Sequence, residues 1–170
     1  MDEVIDNKSQ LTLLRPFLPS ITDEKLKVLA TKMMESPFYL SDEWRNYESI
    51  WKLLFEYFNK PSGHVFYEIG DFGGILGFVN IMTNWKADVT FKLWNKDLWK
   101  PSLAKELKKT RNMVMKLFKL KRLSLDSGDE RMIKFAKIFG FKVEGRQASN
   151  YMWDGKLGTR YIMRYIRKEA

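Results

Sequence analysis

The sequence contains no cysteine. That excludes a disulfide framework, a thiolate nucleophile and any zinc or iron–sulfur site built on cysteine. A single histidine, His64, argues against a His-rich metal centre and against a Ser–His–Asp triad, while leaving room for one catalytic imidazole. Glycine and proline are sparse, at 10 and 5 of 170 residues, so the chain is neither collagen-like nor dominated by linkers. No apolar run approaches the ~20 residues of a membrane span. The acidic start (Asp2, Glu3, Asp6) is wrong for a signal peptide. The expectation is a soluble protein of the cytoplasm with no membrane partner.

Aromatic residues, by contrast, are plentiful: 12 Phe, 6 Trp and 7 Tyr within a 45% hydrophobic composition. A chain with that much to bury folds, and its length suits one domain. Charge is uneven. The net charge is +9, yet residues 1–62 hold 8 basic against 10 acidic side chains, and residues 63–170 hold 22 against 11. Within 96–122 ten basic residues stand against Asp97 and Glu106. A single Lys on a helix is an ordinary solvated side chain. Ten against two attract anions, which a phosphorylated cofactor, a nucleic acid or an acidic protein would each supply.

The hydrophobic period changes at Gly63. Before it, 11–18 reads as a short edge strand with a proline inside. A helix over 23–35 follows, capped by Ser20 or Thr22. A second helix over 42–59, opened by Ser41, carries Trp44, Tyr47, Trp51, Leu54, Phe55 and Phe58 as one apolar stripe. After Gly63, runs at 64–69, 75–83 and 87–94 are strands joined by short turns, an antiparallel meander. Ser102 caps a helix to about 118, with Leu103, Leu107, Val114, Leu117 and Phe118 inward and Lys and Arg outward. A strand at 122–125 leads to Ser127-Gly128-Asp129-Glu130, a capping-box pattern. The helix it opens carries Met132, Ile133, Ala136 and Phe139 and stops at Gly140. Strands at 141–153 and 161–167, joined by 154–158, close a single domain spanning 1–170.

This order of elements resembles the GNAT superfamily of acyl-CoA-dependent N-acyltransferases. The sharpest match is 129–145, DERMIKFAKIFGFKVEG, similar to the family's fourth-helix segment. The tail, Asn150 to Gly155 and then Tyr161 to Tyr165, resembles the closing hairpin of the ribosomal-protein acetyltransferase branch. The resemblance covers 64–167 in detail and 11–62 in element order. It implies an α+β fold: a mixed, mostly antiparallel sheet of six or seven strands flanked by about four helices. It also implies a splayed parallel pair at strands 4 and 5.

The resemblance further implies acetyl-CoA as co-substrate and an amine as acceptor. Phe91 and Leu93 on the fourth strand would line the pantetheine arm. Lys96, Lys100, Ser102, Leu103, Ala104 and Asp129 would form the rest of the cofactor site. Three positions depart from the family pattern. Asp97, Lys100 and Ser102 stand at the Gln/Arg, Gly and Gly/Ala positions of the phosphate motif, whose glycines let backbone N–H groups approach the pyrophosphate. Asp129 replaces an Asn, and Ala136 occupies the place of a Tyr acid in many members.

Asp88, where several members have Glu, is the first candidate for general base, with pairing to a strand-edge Lys as the plainer role. Glu68, His64, Tyr151 and Tyr161 follow, and Ser124 is expected to act through its backbone alone. Two functions fit. One is a GNAT N-acetyltransferase acting on a protein, peptide or small molecule. The other is a degenerate GNAT-like binding or structural protein, similar to phage internal virion proteins or associated with nucleic acid through 96–122, and then located in the virion.

Overall fold

The computed structural model describes residues 14–16, 23–35, 46–59, 63–71, 73–153 and 155–167. In chain order they form β1 (Leu14–Pro16), α1 (Asp23–Glu35), α2 (Tyr47–Asn59), β2 (Val65–Ile69), β3 (Gly74–Met82) and β4 (Lys86–Leu93). A 3-10 turn, Lys96–Leu98, leads into α3 (Pro101–Leu117), β5 (Arg122–Ser127), α4 (Glu130–Ile138), β6 (Lys142–Trp153) and β7 (Lys156–Ile166). The expected helix caps at Ser20, Thr22 and Ser41, and Trp44, lie outside the described residues.

The strands make one seven-stranded sheet in the order β1-β2-β3-β4-β5-β7-β6. Every neighbouring pair is antiparallel except β4 with β5, which are parallel. A parallel pair needs a crossover, and α3 supplies it. α1 and α2 cover one face over β2 and β3, with Leu26, Leu29, Ala30, Met33, Ile50 and Leu54 buried against Phe66, Ile75 and Val79. α3 and α4 cover the other face in a larger core that takes residues from β2 to β5 and β7. No helix among the described residues is long and apolar enough to cross a membrane.

Several local expectations change. The α2 stripe is narrower than its aromatic spacing suggests: Ile50 and Leu54 are buried, Trp51 is half-buried, and Phe55 is exposed. Ser102 does not cap α3; Lys100 is the N-cap, without a side-chain bond, and Pro101 holds the first helical position. At the other end, Leu117 is exposed and Met115 is buried instead. The chain reverses at Lys119 (φ 53), and Leu120 N–H bonds Met115 C=O (2.8 Å), so Leu120 fills the core in place of Leu117. The box at 127–130 shifts by two residues. Asp129 caps α4 by accepting from Arg131 N–H (2.8 Å), and Ser127 Oγ accepts from Asp129 N–H (3.0 Å).

Gly140 ends α4 as expected. Its φ of 86, with Gly140 N–H to Lys137 C=O (2.9 Å) and Phe141 N–H to Ala136 C=O (3.0 Å), forms a Schellman motif. The last hairpin is tighter than 154–158, because Trp153 already pairs with Lys156 around Gly155 (φ 70).

Candidate active site

β4 and β5 pair only at Lys86–Arg122, Ala87–Leu123 and Asp88–Ser124. Both strands run on, to Leu93 and Ser127, so they part as a wedge. Trp94 and Asn95 N–H donate to Gly73 C=O (3.1 and 3.0 Å), on the β3 side. Trp85 C=O accepts from Lys121 and Arg122 N–H (2.8 and 3.1 Å), on the β5 side. Alternate residues of a strand direct their backbone groups to opposite neighbours. Those of Val89, Phe91 and Leu93 therefore face β5, which has already diverged. Unpaired backbone donors and acceptors seek water or a ligand. A wall of them suits an extended, amide-bearing chain, by the chemistry of strand addition.

Side chains sort by face. Phe91, Leu93 and Val89 turn into the α3/α4 core. Asp88, Thr90 and Lys92 turn to the other face, as do Ser124 and Asp126 across the wedge. There Asp88, Ser124, Asp126, Gln147, Arg160 and Ile162 enclose a cleft of about 240 Å3. Arg160 pairs with Asp126. Asp88 is oriented from the neighbouring strand, where Asn80 Nδ2 donates to its Oδ2 (2.9 Å). Asn80 sits in a bulge between Val79 and Met82 with φ 52. Its own N–H donates to His64 Nδ1 (3.3 Å), so the path from His64 to Asp88 runs through Asn80.

The other candidates are not beside Asp88. Glu68 stands in the register row of Ile75 and Lys92, two strands over and four residues along from Asp88, about 16 Å away. Tyr151 pairs with Gly158, beyond the last β5 pair of Ser127 with Tyr161. Tyr161 packs on the α3/α4 core. Ser124 does use its hydroxyl, contrary to a backbone-only role: Arg122 Nε donates to its Oγ (3.2 Å).

The turn from β4 to α3 contains no glycine. Leu98 fills a notch where a Cβ on Gly70 or Gly73 would lie 2.8 or 2.3 Å from its Cδ1. Trp99 sets its ring edge-on to Phe135 (4.4 Å), which also contacts Phe91 (4.9 Å). Lys96 and Lys100 are exposed. Leu103 and Ala104 N–H already bond Lys100 C=O (3.0 and 3.4 Å), so Ser102 N–H is the donor of this first turn that no described residue accepts from. The Asp129 carboxylate is committed to Arg131, through its backbone N–H and its guanidinium (2.8 and 3.1 Å to Oδ1, 2.8 Å to Oδ2).

Two cations of the 96–122 stretch serve the fold. Arg111 donates to Phe139 C=O and stacks on the Tyr165 ring (3.8 Å). Burial lowers the pKa of its guanidinium, partly countered by Tyr165. Arg122 binds Glu144 through both terminal guanidinium nitrogens (3.2 and 2.5 Å). Sequence reasoning missed Asn80, Asp126, Gln147 and Arg160. The alternation Ser124-Leu125-Asp126 carried a signal for Asp126; nothing local marked the others.

No family model matches the chain, and no curated protein sequence matches it. Solved structures do. A ribosomal L7/L12 alpha-N-protein acetyltransferase in complex with coenzyme A superposes with a TM-score of 0.71 at 15% identity, covering 91% of this chain and 94% of that one. The ribosomal-protein-S5-alanine acetyltransferase from Vibrio fischeri gives 0.66 at 15% identity, over 92% and 93%. A spermidine N-acetyltransferase chimera from Vibrio cholerae gives 0.69 at 11% identity, over 91% and 95%. The chain has the GNAT fold.

Proposed function

We propose that this protein is an N-acetyltransferase that moves the acetyl group of acetyl-CoA to an amine of a protein, peptide or small molecule. The observation that carries this reading is the β4–β5 wedge, where the pairing of the two strands ends at Asp88 and the β4 backbone beyond it pairs with no β5 residue. The amides of the pantetheine arm match the backbone of Val89, Phe91 and Leu93. The pyrophosphate would meet Lys96, Lys100 and Ser102 N–H, a site built on charge rather than on a glycine cradle. An acceptor ammonium entering the cleft gives its proton to Asp88. The freed nitrogen attacks the thioester carbonyl, the C–N bond forms, the C–S bond breaks, and the second proton shed by the nitrogen goes to the departing thiolate, so CoA leaves as the thiol. The similar structures named above are acetyltransferases, which supports the reaction class. A cytoplasmic location accompanies this reading.

One observation favours a second reading, a GNAT-like binding protein of a virion or of nucleic acid. The turn before α3 lacks the glycines and two of its helix N–H groups are consumed internally. Melting with and without acetyl-CoA separates the two, since a ligand at 100 times its Kd stabilises by about 2.7 kcal/mol. Release of CoA thiol that depends on added amine completes the test. No shift and no thiol release would reject the enzyme reading.

A further inference from the structure

Beneath the parting of β4 and β5 the core keeps a cavity of about 40 Å3. Its roof is Val89 and Phe91 of β4 with Leu123 and Leu125 of β5. Val89 follows Asp88 and Leu125 follows Ser124, so the roof spans the gap where the strand pairing has just ended. The floor is Met132, Phe135 and Ala136 of α4. Of the described lining residues all but Arg111 are apolar, and its guanidinium is committed to Phe139 C=O and the Tyr165 ring. Alternation along β4 puts this cavity on the opposite sheet face from the Asp88 carboxylate. Close-packed cores leave few voids larger than a water. An apolar void stays dry and takes apolar guests, and each water-sized group needs roughly 10–15 Å3, so this one admits about three.

We propose that this cavity is an acyl-chain pocket, which extends the donors beyond acetyl-CoA to propionyl- and butyryl-CoA and binds these more tightly. The proposal rests on the reading that the thioester of an acyl-CoA occupies the wedge. With its carbonyl at the apex, the acceptor amine approaches from the Asp88 face. The acyl tail leaves through the other face, between Val89 and Leu125, and enters the cavity. An acetyl methyl leaves most of that space empty. Propionyl adds one methylene and butyryl two, which fills it, whereas a hexanoyl chain overruns it. Each methylene taken from water strengthens binding by about fourfold, so butyryl-CoA gains roughly fifteenfold over acetyl-CoA. The chemistry of transfer is unchanged: the C–N bond forms at the acyl carbonyl, the C–S bond breaks, one ammonium proton goes to Asp88 and the second to the thiolate. Ala136 sets the room available, because it is the smallest lining residue and is buried at 3% exposure. A larger side chain there intrudes on the cavity from α4, on the face away from Asp88.

The test titrates the wild-type chain with CoA, acetyl-CoA, butyryl-CoA and hexanoyl-CoA, reading Kd by calorimetry and the melting shift, so no acceptor has to be known. Butyryl-CoA is expected to bind roughly fifteenfold tighter than acetyl-CoA, and hexanoyl-CoA more weakly than butyryl-CoA. Ala136→Leu should erase the butyryl advantage and leave the affinity for CoA itself unchanged. Ala136→Val makes the same intrusion on a smaller scale should leucine prevent folding. Equal affinity for acetyl- and butyryl-CoA, in a protein that binds both, overturns the proposal and leaves the transferase reading standing. A butyryl advantage that survives these substitutions also overturns it, because the chain then lies elsewhere. So does an affinity that keeps rising through hexanoyl-CoA, which a pocket of this size forbids. Binding of none of the four ligands removes the wedge reading and the proposal with it.

Discussion

Asp88 and Ser124 face each other as the last pair that β4 and β5 make. Beyond them the two strands separate, so the carboxylate marks the apex of the wedge. Its other neighbour, Asn80, holds it from β3 through a 2.9 Å hydrogen bond. Asp88 is thus fixed from one side and open to the cleft on the other, the placement a general base requires.

Replacing Asp88 with Asn is expected to lower the transfer rate by roughly 10²–10⁴-fold while leaving the acetyl-CoA melting shift intact. Asn80→Gly keeps the left-handed backbone that φ 52 demands and removes the amide donor. A hydrogen bond to a charged group contributes about 1.5–3 kcal/mol, so a loss of roughly ten- to hundredfold is expected there. Steady-state rates of the two variants check both statements. Full activity in Asp88→Asn would take that residue out of the mechanism.

The element order was legible because period and turn chemistry agree along most of the chain. The switch at Gly63 announced the meander, and the helix between 94 and 122 required β4 and β5 to be parallel neighbours. Finer features escaped where tertiary packing overrules local pattern. Leu117 has the helical spacing of a core residue, but the reversal at Lys119 substitutes Leu120. Of the cleft residues, only Asp88 and Ser124 were legible in the sequence. Asn80 acts through a bulge, and Arg160 reaches Asp126 across a strand pairing, neither of which leaves a mark in the local sequence.

Gly73 is expected to resist any side chain. Its carbonyl receives both Trp94 and Asn95 N–H, and a Cβ there would lie 2.3 Å from Leu98 Cδ1 and 3.1 Å from Asn95 Cβ. Gly73→Ala must push Leu98 from its notch, with a cost of about 1–3 kcal/mol for overpacking. Urea unfolding measures it. Because the same notch anchors the turn carrying Lys96 and Lys100, acetyl-CoA affinity should fall together with stability. A variant as stable as the wild type would show that the turn has slack.

Charge near the turn and charge along α3 should separate in function. Lys96→Ala with Lys100→Ala is expected to weaken acetyl-CoA binding, whereas Lys108→Glu with Lys109→Glu is not. Titration at two salt concentrations adds a second readout, since binding of duplex DNA through the outward lysines would fall steeply with salt as counterions are released. If the wild type binds neither ligand at low salt, the whole stretch is a solvated face.

Lys92 also predicts how stability depends on pH. In the unfolded chain this lysine keeps its proton to about 10.5, and in the fold only to about 8. Between those values the unfolded state binds more protons, so this group makes stability rise as pH climbs from about 8 towards 10.5. Below 8 the cost of burying the ammonium is present in full; above 10.5 it is gone. The size is on the order of 1–3 kcal/mol. Tyr67 works in the opposite sense, because burial raises its pKa above 10.0 and its stabilisation is lost once the phenol ionises in the fold. The absolute curve therefore mixes the two, and the comparison to make is with Lys92→Met. That variant should be more stable than wild type at pH 7 in urea, and the gap should close as pH approaches 10. A gap that stays constant over this range would mean that the folded protein holds the Lys92 proton as tightly as the unfolded chain does.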